Sequence, residues 1–138
     1  MGEWVADNVA PDHFAYKLKA LGEMFNNAFI TVETNNHGGM TLLELKKIYP
    51  QWLMYSRKED TQKVLEYGYQ TTVKTKPLLV NNLRKEFSDG LRIHSPACRD
   101  ELQTFIETPE GKLEAESGCF DDRVMSLAVG CMGARKAH

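Results

Sequence analysis

The sequence predicts an α/β fold with a mixed, largely parallel sheet flanked by helices. Two observations carry this. Short runs rich in β-branched and aromatic residues alternate with longer stretches whose apolar residues recur at helical spacing. Hydrophobic residues make up 42% and charged residues 26% of the 138-residue chain, the balance of one ordinary globular domain. Strands separated by helices pair through crossovers rather than tight hairpins, so parallel pairing is expected.

The elements follow in order. Phe14, Leu18, Leu21 and Phe25 share one helical stripe, and Pro11 suits its first turn. "AFITVE" is short, β-branched and apolar up to Glu33, the pattern of a buried strand. Asn35 to Gly39, "NNHGG", is turn chemistry. Thr41 to Glu44 has the capping-box spacing and opens "LLELKKIY", which Pro50 stops. "WLMYSR" is a second strand. Pro77 opens a helix carrying Leu79, Val80, Leu83 and Phe87, closed by "SDG" at Gly90. "LRIHS" is a third strand, with Leu91 and Ile93 alternating. Ser95-Pro96 starts a helix with Leu102, Phe105 and Ile106 on its inner face. "GKLEAESG" suits an edge strand or hairpin arm. A last helix follows Asp121-Asp122, with Val124, Leu127, Ala128 and Cys131 as its stripe. Residues 29–33, 52–57 and 91–95 are expected to be neighbours in the sheet.

Composition removes some function classes. A formal net charge of −2 argues against a general polyanion binder, so any nucleic-acid surface must be a local patch. The three cysteines, Cys98, Cys119 and Cys131, show no C-x-x-C spacing, and the first residues do not read as a signal peptide. This is the pattern of reduced thiols in a cytoplasm. No apolar run approaches the roughly 20 residues of a membrane span, so no membrane partner is expected.

A few residues carry chemical potential. In open α/β sheets the chemistry gathers at the carboxyl ends of strands, and Glu33 sits at such an end. Its alternative is a solvated loop residue. Asp121 and Asp122 suit a helix cap and first turn. They equally suit a hard divalent cation, which prefers carboxylate oxygen. Two such ions about 4 Å apart clamp the attacking and leaving oxygens of a phosphodiester. Lys74 and Lys76 flank Thr75 ahead of a helix, either as a solvated loop or as phosphate contacts. His37 and His94 are isolated, and the cysteines read as small core residues.

At these residues the chain resembles a known family. "VETNNHGG" (Val32 to Gly39) looks like the segment that follows the second acidic motif in the nuclease domain of tailed-bacteriophage terminase large subunits. "GYQTTVKTKPLLVNNL" resembles that family's Gly-aromatic-x-Thr-Thr…Thr-Lys-Pro segment, at Gly68, Tyr69, Thr71, Thr72, Thr75, Lys76 and Pro77. "DELQTF" resembles its Glu-Leu-x-x-Phe helix. "GCFDDRVMSLAVG" resembles its Asp-Asp-x-Val helix, with Asp121, Asp122 and Val124 in place. The matches keep the family's order from Pro11 to Gly130.

The resemblance implies an RNase H-like fold and a two-metal endonuclease, using Mg²⁺ or Mn²⁺, that cuts concatemeric viral DNA during packaging. It makes Glu33 and Asp121 the expected metal ligands. Asp122 is either a ligand or a carboxylate that supports one. It places Lys74 and Lys76 beside DNA, where they act through phosphate charge. Its implied partners are double-stranded viral DNA, the portal and the small terminase subunit, in the cytoplasm of a bacterial host.

The pattern departs from the family at the amino end. The family's first strand, with its first catalytic aspartate, should precede the first helix, and "MGEWVADNVA" does not supply it. The ATPase motor's G-x-x-x-x-G-K-[ST] is not found. Residues 1–138 therefore read as a single, partial nuclease domain with its first strands missing and no ATPase domain. Weak cleavage and self-association through an exposed sheet edge are expected. Two other readings remain: an inactive fragment serving as a DNA-binding or assembly module, and another RNase H-like nuclease such as a junction resolvase.

Overall fold

The structure is a computed structural model describing residues 4–58 and 65–137. Its described residues form a mixed α/β chain with five α-helices and two small antiparallel sheets. They divide into two compact units, Met1–Thr71 with Gly133–His138, and Thr72–Met132.

In the first unit, α1 (Pro11–Met24) packs against α2 (Gly38–Ile48). Pro11 occupies the first turn of α1, where its missing N–H costs nothing. Ala15, Val32, Leu42, Leu45, Tyr49 and Met54 form a buried cluster, with Leu18, Ile30 and Leu53 packed on it. A 3-10 turn at Gln51–Leu53 leads to β1 (Ser56–Lys58), which pairs antiparallel with β2 (Leu65–Tyr67). Arg57 and Glu66 face each other in that register and pair at 2.7 Å.

In the second unit, α3 (Thr75–Ser88) buries Leu79, Val80 and Leu83, the stripe read from the sequence. The α4 helix (Pro96–Gln103) is capped by Ser95, whose hydroxyl accepts the Cys98 N–H at 3.2 Å. β3 (Phe105–Glu107) and β4 (Leu113–Ala115) form a hairpin. α5 (Asp122–Ala137), which belongs to this unit as far as Met132, buries Val124, Met125, Ala128 and Val129.

Several expectations need correction. The sheet is not largely parallel among the described residues: both ladders are antiparallel, and parallel pairing occurs as isolated bridges, Ile30 with Met54 and Glu33 with Tyr69. The connections explain this. Only residues 59–64 join β1 to β2 and only residues 108–112 join β3 to β4, far short of a parallel crossover. Residues 52–57 form a 3-10 turn, a bridge and part of β1 instead of one strand. Residues 91–95 form no strand, so their alternation has no ladder to join. Phe105 and Ile106 lie in β3, because α4 ends at Gln103. Thr41 is no cap. It is buried inside α2, which the preceding turn starts earlier through the Gly38 N–H to Asn35 carbonyl bond of 3.1 Å. α3 likewise starts at Thr75, ahead of Pro77, after Thr72 and Thr75 exchange N–H to hydroxyl bonds of 2.7 and 3.1 Å.

Candidate functional site

Glu33 belongs to the first unit, where the backbone around it is held from both sides. Tyr69 N–H donates to the Val32 carbonyl at 2.7 Å, and Thr34 N–H donates to the Tyr69 carbonyl at 2.8 Å. Asn35 extends this pairing with its side chain. Its amide donates to the Thr71 carbonyl at 2.7 Å, and its carbonyl accepts the Thr71 N–H at 2.9 Å. Asn35 thus supplies the two bonds that another strand residue would have made. The chain then turns through Asn36, which takes a positive φ of 53° that asparagine tolerates. Gly38 follows against the Glu33 carbonyl oxygen, with no room for a Cβ. The turn behind Glu33 is therefore built by Asn35 and closed by Gly38, and it leaves the Glu33 side chain partly exposed. Among the described residues no hydrogen bond or ion pair engages the Glu33 carboxylate.

Asp121, Asp122, Lys74 and Lys76 belong to the second unit. Asp121 precedes α5, and its carbonyl accepts the Met125 N–H at 2.9 Å, which opens the helix. Its carboxylate faces the Lys76 ammonium at 3.8 Å, both side chains being partly exposed. Lys76 also lies over the Phe105 ring, 5.8 Å from its centroid. Asp122 is exposed in the first turn of α5, and Lys74 is exposed just before α3. The structure thus brings Lys76 and Asp121 together, while Lys74 reaches neither aspartate by an ion pair among the described residues. Carboxylate is the right donor chemistry for a hard divalent cation, and a cationic group already lies against Asp121. Within either unit, the described residues hold no group of three His, Cys, Asp or Glu side chains close enough to bind a metal ion.

One participant escaped the sequence reading. Glu101, on α4, is buried and accepts the Arg123 N–H at 2.7 Å and the Val124 N–H at 3.2 Å. The Arg123 guanidinium also donates to it at 2.8 Å. A glutamate after an aspartate in "RDELQ" reads as an outward polar face, and its only local signal is the helix that contains it.

Comparison of the chain with protein-family models, curated proteins and solved structures finds no match.

Proposed function

We propose that the chain is a metal-dependent endonuclease domain of the tailed-phage terminase type, with an RNase H-like core, acting on double-stranded DNA. The observation that carries this is the ordered set of four motifs ending in Asp121-Asp122. The surroundings of its acids support it. Glu33 is anchored through its backbone and through Asn35, with its carboxylate unengaged among the described residues. Asp121 faces a lysine that the same motif set supplies.

In this reading Glu33 in the first unit, and Asp121 and Asp122 in the second, are the proposed ligands of Mg²⁺ or Mn²⁺. The bound ions supply Lewis-acid stabilisation of the phosphodiester oxygens and a water that is easier to deprotonate. The chain's own residues supply the rest. Asn35 and the Thr34 backbone fix where Glu33 projects. Lys76 faces Asp121 and offers a positive charge to a DNA phosphate. Lys74, exposed before α3, adds sequence-independent phosphate attraction. The portal and small terminase subunit are the partners that this reading implies.

The test is plasmid nicking in Mg²⁺ and Mn²⁺. It compares this chain, a longer chain that carries the family's first aspartate strand, and Glu33→Ala and Asp121→Ala in each. Metal-dependent nicking, strongest in the longer chain and reduced to background by either substitution, is expected. No cleavage by the longer chain refutes the nuclease reading. Cleavage that survives both substitutions refutes the site.

A further inference from the structure

Helices begin with unpaired N–H groups, and an aspartate at the cap position ordinarily turns its own carboxylate back onto the second or third of them. Asp121 holds that position ahead of α5. The second and third amides, Arg123 and Val124, are already taken by Glu101 of α4, at 2.7 and 3.2 Å. Glu101 is only 7% exposed. A carboxylate so buried is tolerated because both oxygens are engaged, one by the two amides and the other by the Arg123 guanidinium at 2.8 Å. The positive end of α5 adds to this. Asp121 is left to face Lys76.

We propose that Glu101 is a positioning residue: it caps α5 from the neighbouring helix and so keeps the Asp121 carboxylate free to face a cation. The capping itself stands independently; its consequence for a metal rests on the endonuclease reading above. Aspartate at 101 would be one methylene short of the amides. Glutamine would keep one acceptor oxygen but lose the charge that Arg123 meets.

The experiment is a double-substitution cycle in the full chain, Glu101→Ala crossed with Asp121→Ala, read by thermal unfolding. Alone, Asp121→Ala should barely shift Tm, since among the described residues its carboxylate makes only an ion pair with Lys76, partly exposed, and no bond to an α5 amide. In the Glu101→Ala background Asp121 is free to fall back onto the open amides, so removing it should lower Tm clearly further. Equal shifts in both backgrounds would overturn the proposal. If Glu101→Ala does not fold, Glu101→Gln carries the same cycle with a smaller coupling. Mn²⁺-induced NMR line broadening along α5 gives the second readout. Read at a temperature where each variant stays folded, it should weaken in Glu101→Ala and recover in part in Glu101→Gln; weakening in a chain that is still folded is what a role in stability alone would not produce. Unchanged broadening in Glu101→Ala would overturn the positioning role. Broadening absent from the unsubstituted chain would overturn the metal reading and the positioning role with it, while the unfolding cycle still judges the cap.

Discussion

Gly68→Ala probes the segment that carries Glu33. Gly68 has a φ of +86°, a region that costs an ordinary L-residue about 1–2 kcal/mol. A Cβ there would overlap the Thr34 Cγ2 and stand 3.0 Å from both the Leu42 Cδ2 and the Val32 carbonyl oxygen. Such overpacking costs about 1–3 kcal/mol. The backbone has little freedom to swing away. Gly68 N–H donates to Tyr55 at 2.8 Å and the next residue, Tyr69, donates to Val32 at 2.7 Å. Together the costs reach about 2–5 kcal/mol, a large share of the 5–15 kcal/mol that holds a typical domain folded. Urea unfolding of the full chain should show a lower midpoint with an unchanged slope. Thr34→Ser removes only the overlapped methyl and keeps the hydroxyl. In that background Gly68→Ala should cost less by about 1 kcal/mol or more, leaving mainly the backbone strain. The same cost in both backgrounds would refute the packing against Thr34.

Two further outcomes are expected. Burial, and secondarily Glu23, push the Tyr49 phenol above its usual value of 10.0, and its hydroxyl donates to the Ala28 carbonyl at 2.7 Å. The folded chain therefore favours the neutral phenol: this stabilisation is complete below pH 10.0 and fades as pH rises through the elevated folded value. Tyr49→Phe should cost about 1 kcal/mol near neutral pH and flatten the alkaline loss of stability. Tyr55, whose phenol burial also raises, keeps a remainder of that loss. An unchanged alkaline slope in denaturant unfolding would exclude Tyr49 as its source. Ser95→Ala should cost about 1 kcal/mol, since its hydroxyl accepts the Cys98 N–H. A change within error in urea unfolding would deny the cap.

What could be read from the sequence was local. Pro11, Ser95-Pro96 and "SDG" mark helix ends because the residues that cap or break a helix lie within a turn of it. Strand partners depend on residues far along the chain, and there the reading failed. The alternation in residues 91–95 finds no ladder, whereas Leu65–Tyr67, too short to carry a pattern, finds one in β1. Phe105 and Ile106 suited a helix by spacing, yet pair with Ala115 and Glu114. The Glu33 segment was legible as extended. Its change of partner, from Met54 at Ile30 to Tyr69 at Glu33, was not.

The two acids nominated first, Glu33 and Asp121, share a feature that no local pattern contains. Beside each, a polar side chain has taken over work that main chain or cap ordinarily does. Asn35 pairs with the Thr71 backbone as a strand residue would, so the backbone after Glu33 can leave the strand at once without orphaning Thr71. Glu101 satisfies the amides that Asp121 would otherwise cover. In both places the accounting of N–H and C=O groups is completed by a neighbour, and the acid is excused from it. An aspartate at a helix start is ambiguous in a sequence because capping and ligation ask for the same residue type at the same place. The ambiguity ends only when the helix's own amides are traced to their acceptors, and for α5 that acceptor is on α4.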